Sequence, residues 1–320
     1  MNDRDELAYR AALMHYVQDE TMESIASKLK ISRSTVSRLI DLARVRGYIQ
    51  FQAHPPAGES AQLRADVART FGVNVTVVPI APRIRGKGRL EAVAALAGNV
   101  IAGAIEPGIT VGIAWGNTLS AVARHLVPKP VTGATVVQLN GAVNSRSSGI
   151  LYAGTLLEAF GEAYRADVQH FPVPAFFDYA ETKQALWRER AVKNVLELQQ
   201  QADLAIFSVG TMAMENPSMV YAHGYISPDD LAEMRERGIV GDVCTVLIRA
   251  DGTWEDLEMN ARASGPTPTA LSKIPRRICV VSGTDKAWPL LGALRAGVVT
   301  DLVVDEDCAA QLLKINAQRV

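Results

Sequence analysis

Residues 111–119, VGIAWGNTL, have the composition of an anion-binding turn. A β-branched run ends just before Trp115, Gly116 permits a tight turn, and Thr118 begins an apolar-periodic helix. Backbone N–H groups converge at the amino end of such a helix, where the dipole favours negative charge. Gly116, Asn117 and Thr118 are therefore candidate anion ligands. Glycine turns also end strands in α/β proteins that bind nothing there, so this alternative stays open.

Three further polar loops follow predicted strands. NGAVNSRSSG begins with Asn140 and Gly141, SVGTM contains Gly210, and SGTDKAWP contains Lys286 in the first turn of a predicted helix. A lysine at that position opposes the helix dipole unless an anion lies nearby, although a solvated surface lysine is the alternative. Because loops at the carboxyl ends of parallel strands meet at one sheet edge, we expect a ligand site there.

Several classes of site lack their motifs in this sequence. No G-x-x-x-x-G-K-[ST] is present, no G-x-G-x-x-G follows a strand, and no H-E-x-x-H occurs. Cys244, Cys279 and Cys308 are far apart in apolar runs, which predicts reduced core thiols rather than a disulfide or zinc site. We expect no metal and no cofactor.

Residues 21–49, TMESIASKLKISRSTVSRLIDLARVRGYI, have the spacing of a helix-turn-helix motif. Thr21 and Ser32 can each cap a helix, and the small Ala26 lets the two helices approach closely. The inward face that we predict for the second helix consists of Val36, Leu39, Ile40 and Ala43. The outward residues, able to contact bases and phosphates in a major groove, are Arg33, Ser34, Thr35, Ser37 and Arg38.

The charge distribution supports nucleic-acid binding by this segment. Residues 1–23 contain six acids and two arginines, whereas residues 24–54 contain six basic residues and one acid. An ordinary surface helix pair is the alternative. Residues 47–53, GYIQFQA, predict a short strand that would form a wing. Since one such motif covers few base pairs, double-stranded operator DNA would be bound by a homo-oligomer, a dimer or a tetramer.

Length and composition predict more than one domain. The chain has 320 residues, 48% hydrophobic residues and a net charge of −1. Prolines and glycine at 55–61 predict a linker between a DNA-binding domain, 1–54, and an effector-binding and oligomerisation domain, 62–320. No signal core or membrane-spanning apolar run is apparent, so we expect a cytoplasmic protein with no membrane partner.

The larger domain is predicted to be α/β, with a doubly wound, mostly parallel sheet. Short apolar runs alternate there with helical patterns, as in sheets covered on both faces. The predicted strands are 73–79, 109–114, 135–139, 204–210, 243–248, 277–283 and 301–305. Long helical patterns cover 89–105, 183–201 and 285–296.

With these segments the chain resembles the SorC family of bacterial transcriptional regulators, the SorC/DeoR type with a sugar-binding domain. The matching segments are ESIASKLKISRSTVSRLIDLARVRGYI, VGIAWGNTL, GDVCTVLIRADG and SGTDKAWPLLGALRAGVVTDLVVDEDCAAQLL. The resemblance implies a large domain similar to the ribose-phosphate isomerase and glucosamine-phosphate deaminase fold, used for sensing. It also implies sugar or sugar-phosphate effectors and tetramers on palindromic operators.

The resemblance further implies effector-binding residues. Those that match the family motifs are Gly116, Asn117, Thr118, Asn140, Gly141, Ala142, Asp242 and Lys286. The segment NARASG keeps the family's cation as Arg262 but lacks its acid. A branch that senses deoxyribose phosphate has lysine where Asn140 stands, so an imine with a sugar aldehyde is excluded at that position.

A sugar-phosphate isomerase or deaminase is the alternative function. That chemistry needs a general acid and base, and the candidates Asp242, Glu215, Asp178 and His223 lie in no recognisable catalytic motif. The sequence favours a non-enzymatic regulator of a carbohydrate-metabolism operon, whose operator affinity a sugar, polyol or sugar phosphate controls. A DNA-bridging protein without ligand would not need the polar loops.

Overall fold

The computed structural model describes residues 3–49, 59–81, 83–144, 150–213, 218–222 and 225–318. The chain divides into two compact units, one of residues 1–54 with 127–129, and one of residues 55–126 with 130–320. The last four residues of the predicted wing strand and the prolines of the predicted linker lie outside the described residues.

The elements of the described residues are numbered in chain order. The α-helices are α1 (Asp3–Tyr16), α2 (Met22–Leu29), α3 (Arg33–Val45), α4 (Glu59–Phe71), α5 (Gly86–Ala104), α6 (Asn117–Ala123), α7 (Thr155–Tyr164), α8 (Ala180–Leu186), α9 (Arg190–Gln200), α10 (Met219–Ala222), α11 (Pro228–Glu236), α12 (Pro268–Leu271), α13 (Ala287–Arg295) and α14 (Glu306–Ala317). The strands are β1 (Asn74–Val78), β2 (Thr110–Ile113), β3 (Thr135–Gln138), β4 (Asp167–Gln169), β5 (Leu204–Phe207), β6 (Val209–Thr211), β7 (Ile239–Val243), β8 (Val246–Arg249), β9 (Arg276–Val281) and β10 (Asp301–Asp305). A short 3₁₀ helix, Thr284–Lys286, precedes α13.

The smaller unit contains α1, α2 and α3 around one apolar core. The predicted inward face of α3 is confirmed, because its core residues are Val36, Leu39, Ile40 and Ala43. Hydroxyl caps begin both later helices: Thr21 Oγ1 accepts from the Ser24 N–H, and Ser32 Oγ accepts from the Thr35 N–H, each at 3.2 Å. These caps satisfy amide groups that have no partner within the helix.

The larger unit is built on seven parallel strands in the order β1-β10-β9-β5-β2-β3-β4. Side chains of β5 alternate between two cores, with Leu204 and Ile206 on one face and Ala205 and Phe207 on the other. Helices α5, α6 and α7 pack on the first face, and α4, α13 and α14 on the second. A mostly parallel α/β sheet covered by helices is therefore confirmed.

The chain changes direction across the sheet between β2 and β5. From β2 it continues to β3 and β4 on one side, and it then returns through β5 to β9 and β10 on the other. At such a topological switch point, the loops that follow the two neighbouring strands run in opposite directions. This leaves a crevice at the carboxyl ends of the strands. The loops after β2 and β5 contain two of the predicted ligand segments.

The predicted strand 243–248 is wrong. Residues 239–249 form an antiparallel hairpin, and β7 pairs with β8 through Val243 and Val246. Between them Cys244 and Thr245 both have positive φ, +50° and +71°. This is a two-residue hairpin turn, and the sequence concealed it because asparagine and glycine, rather than cysteine and threonine, usually occupy such turns.

One helix begins inside the predicted linker, and one predicted helix is divided in two. Helix α4 begins inside the predicted linker, where Ser60 Oγ donates to Glu306 Oε2 of α14 at 3.4 Å. The predicted helix 183–201 is instead α8 and α9, separated near Trp187. That indole packs against Phe171 and Phe177, with ring centroids 5.6 and 5.5 Å away. Tertiary contacts decide both boundaries.

One further strand, β4, was not predicted, because it has only three residues. The predicted strand 204–210 is divided, because β5 ends at Phe207 and Val209 begins β6. β6 pairs with β7 in a separate three-stranded antiparallel sheet with β8. The three cysteines are free and buried, as predicted. In the part of the chain that the structure describes, each helix is too short or too polar to cross a membrane.

Candidate effector site

A cavity of about 690 Å³ lies at the carboxyl ends of the parallel strands. Its walls include Trp115–Thr118 after β2, Ser208–Gly210 after β5 and Ser282–Lys286 after β9. The strand order makes β2 and β5 neighbours, so these loops face one another across the switch point. The cavity is large enough for a small metabolite.

Lys286 spans the switch point. Its Nζ donates to Thr118 Oγ1 at 3.0 Å and to Ser208 Oγ at 3.3 Å. An ammonium has three donors, so one N–H remains available, and Lys286 forms no salt bridge with a described residue. Burial lowers the pKa of this lysine, while the carboxylates of Asp285 and Asp242 act in the opposite direction. An anionic ligand would favour the charged form further.

Gly116 gives the turn after β2 its shape. Its φ of +152° lies in a region that favours glycine, and a Cβ added there would meet no atom within 4 Å. The backbone therefore borders open space in the cavity. Thr118 is buried in the following helix, and the exposed Asn117 accepts a hydrogen bond from the Tyr152 hydroxyl at 3.0 Å.

Asp242 is a buried carboxylate in the cavity wall. Its Oδ1 accepts from the Tyr221 hydroxyl at 2.7 Å, and its Oδ2 accepts from the Thr245 N–H at 2.9 Å. Burial raises the pKa of Asp242, and these two hydrogen bonds and the Lys286 charge oppose the rise. Gly210 pairs with Asp242 between β6 and β7, where an added Cβ would lie 1.9 Å from Asp242 Oδ1.

Asn140 and Trp115 form the wall beside β2 and β3. Asn140 is 2% exposed, and its Oδ1 has no hydrogen-bond partner among the described residues. The Trp115 Nε1 donates to the Gly141 carbonyl at 2.7 Å, and its ring packs on Tyr225 with centroids 5.2 Å apart. A buried polar atom without a partner is costly, which makes Asn140 a candidate ligand contact.

Seven of the ten predicted effector residues line this cavity: Gly116, Asn117, Thr118, Asn140, Gly210, Asp242 and Lys286. Gly141 lies behind the wall, where an added Cβ would meet the Val173 carbonyl at 2.2 Å, and the buried Ala142 does not line the cavity. Arg262 is also absent from the wall, and its Nη2 donates to Asp230 Oδ1 at 2.8 Å. Gly141 therefore has a packing role. The Arg262 guanidinium pairs with α11 and does not line the cavity.

Of the two candidate acid–base residues that the structure describes, only one lies at the cavity. Asp178 is exposed and does not line the cavity, whereas Asp242 does. Glu215 and His223 lie outside the described residues.

Three basic residues of the cavity wall were not predicted. Arg85 immediately precedes α5, and Lys87 and Arg89 lie in its first turns. The segment RIRGKGR contains the signal, because it places four cations immediately before and within the first turns of a helix. We did not predict their role, because the segment has no polar glycine loop of the usual phosphate-binding kind.

The predicted DNA-contacting residues all lie in the first half of α3. Arg33, Ser34 and Arg38 are exposed, and Thr35 and Ser37 are half-buried. Arg33 Nε lies 2.9 Å from Glu23 Oε1, and both side chains are largely solvent-exposed. An exposed pair of this kind contributes little stability, so the guanidinium can exchange the carboxylate for a phosphate.

A known protein family matches most of the chain. The model of the family described as "Putative sugar-binding domain" matches residues 56–314. The deoxyribonucleoside regulator of Bacillus subtilis (strain 168) is 29% identical over 311 residues, which cover 97% of this chain and 98% of that protein. It is therefore similar across both units.

Solved structures extend the comparison. A domain of a possible sugar-binding transcriptional regulator from Arthrobacter aurescens TC1 has a TM-score of 0.76 and 43% identity, covering 81% of this chain and all of that domain. The full-length sorbitol operon regulator SorC of Klebsiella pneumoniae has a TM-score of 0.72 and 21% identity, which concerns the fold alone. It covers 98% of this chain and 100% of that one. The chain belongs to the SorC family of transcriptional regulators that contain this sugar-binding domain.

Proposed function

We propose that this regulator binds operator DNA through α2 and α3, and that a sugar, polyol or sugar phosphate in the cavity controls its operator affinity. The operon would serve carbohydrate metabolism. The observation that carries the proposal is the position of the Lys286 ammonium at the switch point of an α/β sheet. It donates to two hydroxyls and pairs with no carboxylate among the described residues.

The cavity offers different chemistry on its two walls at the switch point. Lys286, Thr118 and the open backbone at Gly116 suit an anionic group such as phosphate. Asp242 and Asn140 suit hydroxyl groups, because a carboxylate accepts and an amide both donates and accepts. We propose that the domain has the ribose-phosphate isomerase and glucosamine-phosphate deaminase fold and uses it for sensing.

The enzyme alternative is not favoured. The chain is a regulator rather than an enzyme, since proteins similar to it along almost its entire length are transcriptional regulators. Among the proposed contacts, Asp242 accepts hydrogen bonds from Tyr221 and Thr245, and its charge interacts with that of Lys286. This supports a binding role for the carboxylate.

We propose that α2 and α3 form a helix-turn-helix and that Arg33, Ser34, Thr35, Ser37 and Arg38 contact DNA. The two hydroxyl caps and the absence of acids from the first turn of α3 support this assignment. A symmetric operator would require at least two chains, so we propose a homo-oligomer, a dimer or a tetramer.

The ligand assignment is tested by a thermal-shift screen of sugars, polyols and their phosphates on the full chain. A specific ligand at about 100 times its Kd stabilises the folded state by about 2.7 kcal/mol. We expect Lys286→Ala to lose the shift for phosphorylated ligands. Lys273→Ala is the matched control, because Lys273 is exposed and does not line the cavity.

Three outcomes distinguish the ligand classes. A shift with phosphates that Lys286→Ala abolishes supports phosphate capture. If unphosphorylated sugars or polyols give a shift that Lys286→Ala leaves intact, the proposed anion contact is contradicted and a carbohydrate effector is still supported. No shift with any compound contradicts the proposal of a carbohydrate effector.

The DNA assignment is tested with Arg38→Ala, using genomic fragments upstream of the regulated operon. If Arg38 reads a base, we expect a loss of about 1–3 kcal/mol on the specific site. If it contacts phosphate, binding weakens uniformly over sequences and the salt slope falls by about 1. Arg10→Ala is the control, since Arg10 is exposed on α1. Wild-type affinity in Arg38→Ala would contradict its placement at the DNA.

A further inference from the structure

A second pocket in the larger unit is separate from the cavity that contains Lys286. Residues of α8, α9 and α12 line it, together with the segment 264–267 that precedes α12. Its volume is about 230 Å³, less than a drug-sized ligand needs, so the pocket suits a compact molecule. Among the described residues, none lines both the pocket and the cavity.

Lys183 of α8 is the only ionisable residue among the described residues that line the pocket. It is half-buried, and its Nζ lies 5.5 Å from the centroid of the Trp187 ring. The ammonium donates to no described residue and forms no salt bridge with one. Burial lowers the pKa of Lys183, because desolvation disfavours the charged form. An anionic group in the pocket would stabilise this unneutralised ammonium.

Gln199 of α9 contributes a second polar group that has no partner. The residue is 7% exposed, and its Nε2 donates to the Gln138 carbonyl at 2.7 Å. Its Oε1 accepts no hydrogen bond from a described residue, although Gln199 lines the pocket. A buried acceptor without a donor is costly, so this amide oxygen points to a ligand that donates a hydrogen bond.

The remainder of the wall is mostly apolar and includes a fixed aromatic ring. The Trp187 indole packs edge-on against Phe171 and Phe177, which hold it in place. Pro266 and Ile274 also line the pocket. A rigid aromatic surface of this kind favours a ligand with a planar apolar body, because aromatic rings stack or pack edge to face.

Hydrogen bonds connect the wall of the pocket with that of the cavity. Gln138, whose carbonyl accepts from Gln199, donates from its own Nε2 to the Asn140 carbonyl at 2.7 Å. Ser264 lines the pocket, and its Oγ accepts from the Gly141 N–H at 2.9 Å. A ligand in the pocket would therefore contact two residues that help to hold the segment at Asn140.

We propose that the pocket binds a small hydroxylated carboxylate with a planar apolar body, separately from the effector. The carboxylate accepts from Lys183 Nζ, the apolar body packs on the Trp187 ring, and the hydroxyl donates to Gln199 Oε1. This binding does not depend on Lys286, because the pocket and the cavity share no lining residue among those described.

The test measures the binding of 3-hydroxybenzoate and 4-hydroxybenzoate to the full chain by saturation-transfer difference NMR titration. We expect the wild type to bind at least one isomer, and to bind the corresponding hydroxybenzamide about 10-fold more weakly, because the hydrogen bond to a charged group is lost. Lys183→Met, which keeps the apolar stem, should weaken binding about 10-fold for the same reason. Ala270→Phe should abolish binding, because it adds a ring at an exposed position that lines the pocket.

Two control variants locate the bound carboxylate. Lys193→Met removes an exposed lysine of α9 that lines neither site, and Lys286→Met removes the ammonium of the cavity. Both should bind the hydroxybenzoate as the wild type does, and circular dichroism melts check that each variant is folded. A loss in Lys286→Met with none in Lys183→Met would place the carboxylate in the cavity and overturn the proposal.

Binding of neither isomer to the wild type would also overturn it. Sedimentation velocity then identifies a different occupant of the pocket. If Ala270→Phe lowers the oligomeric state relative to the wild type, a second copy of the chain covers the pocket instead of a small carboxylate.

Discussion

At the scale of single residues, the cavity combines a half-buried lysine with a buried carboxylate. Burial lowers the pKa of Lys286 and raises the pKa of Asp242, since desolvation disfavours the charged form of each. Each charge partly compensates for the burial of the other. Lys286 keeps an unused donor, so an incoming anion would complete its hydrogen bonding.

Gly210 permits this arrangement by allowing the Asp242 carboxylate to approach the backbone of β6. We expect Gly210→Ala to destabilise the protein by about 1–3 kcal/mol, because the added Cβ would lie 1.9 Å from Asp242 Oδ1. Urea denaturation measures the loss. The control is Gly103→Ala, at an exposed α5 position with no atom near the added Cβ, which should stabilise by about 0.5–1 kcal/mol. Equal effects of both substitutions would contradict the role of Gly210.

At the scale of elements, the cap of α3 controls the helix that contains the predicted DNA contacts. Ser32 Oγ caps the Thr35 N–H and also contacts the hydroxyls of Ser34 and Thr35 at 2.9 and 2.8 Å. The cap therefore fixes the amino end of α3, where these short side chains lie.

We expect Ser32→Ala to lower the free energy of unfolding of the smaller unit by about 1 kcal/mol, because an N-cap hydrogen bond is lost. Chemical denaturation followed by circular dichroism measures this change, and operator binding should weaken with it. Ser27→Ala is the control, because Ser27 is an exposed residue inside α2 and caps no helix. A loss as large in Ser27→Ala as in Ser32→Ala would refute the capping argument.

At the scale of the whole molecule, a regulator of this kind couples two binding events in two units. Only the difference in ligand affinity between DNA-competent and DNA-incompetent arrangements can change operator affinity. Tight effector binding alone is therefore not enough. We expect the coupling to be about 1–3 kcal/mol, which changes operator affinity roughly 5–150-fold.

Reciprocity provides the whole-molecule prediction. Saturating operator DNA should change the Kd of the effector by the same factor as saturating effector changes the Kd of the operator. Titration calorimetry with and without DNA measures the first factor, and fluorescence anisotropy measures the second. Non-operator DNA of equal length is the control. An effector Kd that operator DNA leaves unchanged would exclude effector-controlled DNA binding.

Local sequence was sufficient for the features that short-range chemistry decides. Thr21 and Ser32 cap helices because a hydroxyl at that position satisfies the amide groups of the next turn. The buried strands β2 and β5 could be predicted because they are continuous apolar runs between helical patterns. Such runs require a sheet covered on both faces. The candidate ligand loops follow from the same pattern, since parallel strands end at one edge.

Contacts between distant segments decided the remainder. Asp305 caps α14 and also holds Arg89 and the turn at Gly283, and the last two pairings depend on strand order. Arg85 likewise lines the cavity wall because of the strand order. Arg262 does not line it, because its guanidinium pairs with Asp230 of α11. The sequence by itself determined the local elements and most residues of the cavity. Only the tertiary structure decided which charges face one another there, because that depends on residues far apart in the chain.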